Sequence, residues 1–90
     1  MHQRTVVVGS RSGLHARPAS LLVQAATRQP VKVTIGRDGQ SAVDARSLLS
    51  VLALAAQYGD SVVLAAEGDG AEAAVEELAV LLARDLDTTQ

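Results

Sequence analysis

Residues 13 to 19 read Gly-Leu-His-Ala-Arg-Pro-Ala, and this stretch marks where the chain enters its first helix. Pro18 fixes its own φ and has no amide hydrogen, so it is tolerated in the first turn of a helix and poorly at deeper positions. Apolar residues then recur at helical spacing, at Ala19, Leu22, Val23 and Ala26. The stretch therefore predicts a helix from Ala16 to Arg28 that ends before Pro30, with His15 at the N-cap position.

The start of this helix combines features that suit a phosphoryl group. The N–H groups of Ala16 and Arg17, together with the positive end of the helix dipole, favour an anion placed beside them. Imidazole has an ordinary pKa of about 6.5, so His15 would offer a neutral, nucleophilic nitrogen near neutral pH without a separate base. Arg17 adds a permanent cation whose planar fork matches phosphoryl oxygens. The residues alone leave open the alternative that both side chains only contact solvent.

The residues on the N-terminal side of this site are predicted to be exposed. Ser10, Arg11 and Ser12 form a polar loop, and Gly13 permits the backbone angles that bring a strand into a helix. His2 lies at the start of a strand without a cap pattern, so it is expected to contact solvent. The two histidines are not spaced as metal ligands, and the chain contains no cysteine. The sequence therefore predicts no metal and no cofactor.

Length and composition predict one small domain over residues 1–90, because a chain of 90 residues builds a single core. Hydrophobic residues make up 48% of the chain, yet Tyr58 is the only aromatic residue, so the core must consist of Val, Leu, Ile and Ala. Eight basic and ten acidic residues give a net charge of −2, which argues against a nucleic-acid partner.

The apolar segments are too short to place the chain in a membrane. Residues 1 to 5 lead directly into a run of valines and lack the apolar segment of a signal peptide. The longest mostly apolar stretch runs from Leu48 to Ala56, is interrupted by Ser50, and cannot span a bilayer. The sequence predicts a cytoplasmic protein with no direct membrane insertion.

Four strands are predicted from alternation and turn residues. The first runs from Arg4 to Val8, and the second runs from Val31 to Ile35 with strict alternation that predicts one buried face. Residues 36 to 39 contain an Asp-Gly turn, from which residues 40 to 45 return as the third strand of a hairpin. The fourth strand covers residues 61 to 66.

Two further helices complete the chain. Ser47 is predicted to cap the second, which begins at Leu48 and stops at Gly59, with Tyr58 packed near its end. The third is predicted from Ala71 to Leu86, with Asp69 and Glu72 in capping-box-like spacing. One apolar stripe on it contains Val75, Leu78, Leu82 and Leu86. The order of elements predicts an α+β fold with helices on one face of a mainly antiparallel sheet, while the strand order stays open.

The stretch Gly-Leu-His-Ala-Arg-Pro-Ala resembles the active-site signature of the HPr family, the histidine phosphocarriers of the phosphoenolpyruvate-dependent sugar phosphotransferase system. The resemblance covers essentially the whole chain and implies an open-faced β-sandwich, βαββαβα, in which three helices cover one face of a four-stranded antiparallel sheet. It implies that His15 carries the phosphoryl group on its pros nitrogen, Nδ1, between enzyme I and the IIA domains of sugar permeases. Such a chain is a covalent carrier rather than an enzyme, and is expected to be a monomer.

The second predicted helix is a candidate partner surface. Its residues Leu48, Leu49, Val51 and Leu52 cannot all point inward. The resemblance implies that enzyme I and IIA domains dock on a surface formed by Arg17, Ser20, Arg46, Leu48, Leu49 and Leu52.

The alternative functions belong to different classes. Ser47 resembles the regulatory serine that some family members present to an HPr serine kinase, although a serine at an N-cap is common for structural reasons. Leu48, Leu49, Ser50 and Leu52 depart from the Ile, Met, Gly and Met of many kinase-regulated members. A regulatory module acting through Ser47, or a nitrogen-related phosphotransferase branch, therefore remains an alternative. A self-contained phosphotransferase is disfavoured because the chain has no nucleotide-binding loop or catalytic acid–base pair.

Overall fold

Strands and helices follow one another along the chain in the predicted order β, α, β, β, α, β, α. The computed structural model describes residues 1–84. The elements are β1 (His2–Val7), α1 (Ala16–Thr27), β2 (Val33–Arg37), β3 (Val43–Asp44), α2 (Leu48–Ala53), β4 (Ser61–Ala66) and α3 (Ala71–Ala83). No helix within this part of the chain combines the length and apolarity needed to cross a membrane.

The four strands form one antiparallel sheet in the order β1-β4-β2-β3. Alternate residues of β4 (Val62, Leu64 and Ala66) are buried beneath the helices, while the residues between them are partly exposed. The predicted α+β fold and open-faced sandwich are therefore confirmed. The order of the strands places β1 and β3 at the two edges of the sheet.

The core consists of aliphatic side chains, as the composition predicts. The largest side chains that are fully buried include Leu22, Ile35, Leu64, Leu78 and Leu82. They come from α1, the two central strands and α3, so burial of apolar area stabilises the helices against the sheet. Tyr58 does not join them. It is 61% exposed in the turn before β4, so the prediction that it packs near the end of α2 is wrong.

The first two strands differ from the predicted bounds because pairing with β4 sets their length. β1 begins at His2, since His2 lies opposite Ala66 in the register. β2 is shifted toward the C-terminus and ends at Arg37, which lies opposite Val62.

The third strand contains only two residues rather than the predicted six. The Gln40 N–H donates to the Arg37 carbonyl at 2.9 Å, so the turn occupies more of the chain than the Asp-Gly pair indicates. The Arg46 N–H donates to the Asp44 carboxylate at 2.9 Å, which turns the chain out of the strand.

α2 ends at Ala53 rather than at Gly59. Ala55 has a φ of 53° and is the only non-glycine residue with positive φ among residues 1–84. This left-handed residue ends the helix, although glycine is the usual residue in that conformation. The sequence pattern misses the end of the helix because alanine is a strong helix former.

Replacing Ala55 with glycine is expected to raise the free energy of unfolding by about 1 kcal/mol, because glycine adopts positive φ without a steric penalty at Cβ. The greater entropy of glycine in the unfolded chain offsets part of the gain. Ala53→Gly, at the last residue of α2, is the control and is expected to destabilise by about 0.5 kcal/mol. Urea denaturation measures both; a loss of stability in both variants would contradict strain at Ala55.

α3 begins one residue after Gly70, which is the N-cap with a φ of 89°. The capping box that the sequence predicts at Asp69 is therefore wrong, because the left-handed backbone at Gly70 makes the turn and no side chain caps the helix. Val75, Leu78 and Leu82 are buried, as their spacing predicts. The helix ends at Ala83, and the predicted extension to Leu86 lies outside the described residues.

Candidate phosphoryl-accepting site

His15 is the N-cap of α1, as the sequence predicts, with φ −83° and ψ −169°. Its carbonyl accepts the N–H of Ala19 at 2.8 Å, and its side chain makes no cap hydrogen bond. His15, Ala16 and Arg17 are exposed, whereas Pro18 is buried beneath the first turn. The helix start therefore presents an imidazole and a guanidinium on the surface.

The first turn of α1 keeps the positive end of the helix free of acidic side chains, since no Asp or Glu lies in it. The first intrahelical hydrogen bond is donated by Ala19, and Pro18 has no N–H. The N–H groups that precede a first intrahelical bond attract anions. The electrostatic field at the helix start would therefore stabilise an anion carried by His15.

The loop before His15 is anchored to the segment that follows α2. The Leu14 N–H donates to the Ala56 carbonyl at 2.9 Å, and the Leu14 side chain is buried. Gly13 has a φ of 76°, and a Cβ there would lie 2.6 Å from the Ala56 carbonyl oxygen. Only glycine both adopts this positive φ without strain and has no Cβ to collide with the Ala56 carbonyl. Gly13 therefore allows the loop to pack against this segment.

The other end of the loop is anchored to the last turn of α3. The Gly9 N–H donates to the Leu82 carbonyl at 2.9 Å, and any Cβ on Gly9 would collide with the carbonyl group of Ala83. The Ser10 hydroxyl donates to the Arg84 carbonyl at 3.4 Å. Anchored at both ends, the loop holds the backbone of His15 in place.

Ser10 is 1% exposed, so its predicted place in an exposed loop is wrong. Its contact lies 74 positions away in the sequence, and no local pattern marks it. The pair Gly9-Ser10 carries a weak signal, because glycine before a small polar residue allows a close backbone approach. Arg11 and Ser12 are exposed, as predicted.

The helix that bears the predicted partner surface has one exposed side and one buried side. Leu49 is 80% exposed and Leu48 is 41% exposed, whereas Val51 is completely buried and Leu52 is partly buried. The expectation that at least one of these residues points outward is confirmed. α2 packs against α1, so the two helices that bear the predicted partner surface lie side by side.

Ser47 caps α2, as predicted. Its hydroxyl oxygen accepts the N–H of Ser50 at 3.3 Å and lies 3.0 Å from the Ser50 hydroxyl. Ser20, on the second turn of α1, is partly buried and accepts a hydrogen bond from Gln24 at 3.2 Å. Both serines therefore have a structural role in their own helices.

Arg46 is bound to a neighbour that the sequence analysis missed. Its guanidinium contacts the Asp44 carboxylate, with Nη2 2.9 Å from Oδ2 and Nε 3.1 Å from Oδ1. These hydrogen bonds lower the pKa of Asp44 to about 2. The negative charge of Asp44 thus largely neutralises the positive charge of Arg46. The predicted partner surface is therefore less basic beside α2 than the sequence indicates.

The second histidine differs sharply from His15. His2 Nε2 lies 3.1 Å from Glu76 Oε2 on α3, and Arg4 contacts the same carboxylate. The hydrogen bond from His2, aided by the Arg4 cation, lowers the pKa of Glu76. His2 is partly exposed to solvent, as expected, but it also contacts Glu76, which the sequence pattern does not indicate. No group of residues suited to hold a metal ion occurs within residues 1–84.

The fold and the helix-start histidine agree with a known family. A family model described as the PTS HPr component phosphorylation site matches residues 2–84. The chain belongs to the HPr family. It is 53% identical over 87 residues to the phosphocarrier protein HPr of Streptomyces coelicolor, covering 97% of this chain and 94% of that protein. It is 37% identical over 86 residues to the HPr-like protein Crh of Bacillus subtilis, covering 96% and 100%.

Solved HPr structures share the whole architecture. HPr of Thermoanaerobacter tengcongensis superposes with a TM-score of 0.88 at 32% identity, covering all of both chains. HPr of Bacillus anthracis gives a TM-score of 0.84 at 38% identity, covering 90% of this chain and 95% of that one. As a member of the HPr family, the chain is a phosphocarrier of the phosphotransferase system.

Proposed function

We propose that His15 accepts a phosphoryl group on Nδ1 from phosphorylated enzyme I and donates it to the IIA domains of sugar permeases. The observation that carries this proposal is an exposed imidazole at the N-cap of α1 that takes no part in capping. A partner histidine needs direct access to the acceptor nitrogen, and the exposed helix start provides it. The chain forms the covalent phosphohistidine between two phosphotransferases and is not itself an enzyme.

The transfer follows from the chemistry of nitrogen-bound phosphoryl groups. The lone pair of His15 Nδ1 attacks phosphorus, a new N–P bond forms, and the N–P bond of the donor histidine breaks as that imidazole takes up a proton. The same exchange with a IIA histidine as acceptor reverses these roles. The Arg17 guanidinium and the N–H groups of Ala16 and Arg17 stabilise the charge on the phosphoryl oxygens.

The proposed partner surface surrounds the helix start and α2. The exposed Leu48 and Leu49 supply apolar area, and Arg17 supplies charge. The complete proposed surface consists of Arg17, Ser20, Arg46, Leu48, Leu49 and Leu52. We propose that one domain over residues 1–90 performs these steps in the cytoplasm as a monomer, without a cofactor.

Intact-mass spectrometry after incubation with phosphoenolpyruvate and a bacterial enzyme I tests the proposal. We expect one acid-labile phosphoryl group that maps to His15. Addition of a IIA domain should remove it. Modification in the absence of enzyme I would instead indicate a self-contained phosphotransferase. No modification by several active preparations of enzyme I would contradict the carrier role of His15.

Arg17→Ala is expected to slow phosphoryl transfer by about 10- to 100-fold, the effect of losing a charged hydrogen bond. The side chain is exposed, so the fold should remain intact. Arg28→Ala, at the C-cap of the same helix, removes an equal charge away from the site and is the matched control. Quenched-flow transfer rates measure both; equal rates in the two variants would exclude a specific role for Arg17.

Crh relatives favour one second candidate, a regulatory module that acts through Ser47. A nitrogen-related phosphotransferase branch is the other form of this alternative, and the names of these relatives do not bear on it. Crh of Bacillus subtilis is named an HPr-like protein, and its solution structure is described as that of the catabolite repression HPr. A phosphate on Ser47 would be stabilised at the N-terminus of α2 and would add negative charge at the partner surface. Incubation with ATP and an HPr serine kinase, with Ser47→Ala as the control, tests the Ser47 route.

A further inference from the structure

α1 and α3 pack side by side and leave a groove of about 430 Å³ between them, the α1–α3 groove. The two helices run antiparallel. The Ser10 hydroxyl donates to the Arg84 carbonyl, so α3 ends beside the loop that enters α1. A Cβ on Gly70, the N-cap of α3, would lie 3.3 Å from Pro30 Cγ, so α3 begins beside the segment that follows α1.

The middle of the groove is apolar. Leu21 and Ala25 line it from α1, and Val80 and Leu81 line it from α3. Ala25 is buried, the two leucines are partly buried, and Val80 is 54% exposed. A small buried residue among larger ones leaves room for an apolar side chain of another helix, as in the packing of ridges into grooves.

An arginine lies at each end of the groove. Arg28 is the C-cap of α1 and Arg84 is the C-cap of α3, and both line the groove. Because the helices are antiparallel, the two side chains lie at opposite ends. Within residues 1–84 neither makes an ion pair, whereas Arg4, Arg37 and Arg46 are each paired with a carboxylate.

The charge of the groove favours an acidic ligand. Glu77 is the one acidic side chain among the described residues that line it, against the two arginines Arg28 and Arg84. Glu77 lies two turns before the end of α3, so it belongs to the end of the groove that contains Arg28. The attraction for a carboxylate is therefore greater at the Arg84 end, and the groove as a whole has a net positive charge.

We propose that the α1–α3 groove binds an amphipathic helix of a partner protein that has a carboxylate at each end of a short apolar stripe. The segment of α1 from Leu21 to Arg28 spans about 10 Å, which corresponds to two helical turns. A partner helix that lies along the groove therefore needs its carboxylates at positions i and i+7, and its apolar residues at i+3 and i+4. Burial of these apolar side chains against the two helices stabilises the complex.

This surface is separate from the phosphoryl-accepting site and from the proposed partner surface. No residue that lines the groove belongs to either of them. The inference therefore does not rest on the proposed function. His15→Ala is expected to bind the partner helix as tightly as the native chain does, although it loses phosphoryl acceptance.

An NMR titration of the isotope-labelled chain with a synthetic peptide tests the proposal. The probe is an alanine-rich helix of about 16 residues, with Glu at positions i and i+7 and Leu at i+3 and i+4. We expect a dissociation constant of about 100 μM and chemical-shift changes that cluster at Leu21, Ala25, Val80 and Leu81. Absence of binding at about 1 mM peptide, or changes that cluster on α2 instead, would overturn the proposal.

Exchange of charge between the chain and the peptide tests the role of the two arginines. Arg28→Glu combined with Arg84→Glu should weaken binding at least ~10-fold, the effect of losing charged hydrogen bonds. A peptide with Lys in place of both glutamates should bind this double variant as tightly as the original peptide binds the native chain. Both arginines are exposed, and circular dichroism checks that the variant is folded.

Lys32→Glu combined with Arg46→Glu is the matched control, because it makes the same change in net charge at exposed residues outside the groove. This control should bind the original peptide within about two-fold of the native chain, since exposed charges at a distance are screened by salt. Equal weakening in the two double variants, or failure of the lysine peptide to restore binding, would refute recognition by Arg28 and Arg84. Loss of binding in His15→Ala would place the peptide at the start of α1 and would also overturn the proposal.

Discussion

His15→Ala is expected to abolish phosphoryl acceptance while leaving the protein folded. The imidazole is the nucleophile that forms the N–P bond in the proposed transfer, so the variant loses the acceptor itself. Its side chain is exposed and makes no cap hydrogen bond, so its removal should change the free energy of unfolding by less than about 1 kcal/mol. Intact-mass spectrometry after incubation with enzyme I measures acceptance, and thermal unfolding measures stability.

His2→Ala is the matched control because it removes the other histidine of the chain. This variant loses the contact with Glu76 but should accept a phosphoryl group at the native level. The two histidines differ in one respect that matters for the chemistry: His15 is exposed at a helix start, whereas His2 is hydrogen-bonded to a carboxylate. Acceptance by His15→Ala, or its loss in His2→Ala, would show that the acceptor has been assigned to the wrong residue.

Gly13→Ala is expected to lower the free energy of unfolding by about 2–5 kcal/mol. A positive φ costs about 1–2 kcal/mol for a residue with a Cβ, and overpacking costs about 1–3 kcal/mol more. Here the added Cβ would lie 2.6 Å from the Ala56 carbonyl oxygen and 2.9 Å from Gln57 Cα, both of which are backbone atoms. Relief would require movement of the loop, and the Leu14–Ala56 hydrogen bond that positions His15 would then be lost.

Gly59→Ala separates the cost of the positive φ from the cost of the close approach between Cβ and the backbone. Gly59 has a φ of 86°, close to the 76° of Gly13, but a Cβ there would have no atom within 4 Å. The control should therefore lose only the conformational part, about 1–2 kcal/mol, and should keep native phosphoryl acceptance. Chemical denaturation gives both free energies. Equal losses in the two variants would mean that the close approach to Ala56 contributes nothing.

Local signals in the sequence predict the parts of the fold that depend on neighbouring residues. Pro18 and the helical spacing that follows it place the start of α1 at Ala16, and Ser47 caps α2 as its hydroxyl indicates. β4 matches its predicted bounds, Ser61–Ala66, because a short apolar run lies there between Gly59 and the turn that begins at Glu67. The predictions fail at Ala55 and Gly70, where a left-handed backbone outweighs the local preference for helix or for a side-chain cap.

The order of the elements and the histidine at the start of α1 follow from the sequence, because each depends on residues a few positions apart, and the aliphatic core follows from the composition. Tertiary structure alone decided which strands lie at the edges, the burial of Ser10 and the pairing of His2 with Glu76. The last two contacts join residues 74 positions apart, and no local preference specifies them. The loop that holds His15 in place exists only when α3 and the segment after α2 pack on either side of it, because burial of apolar area brings them together.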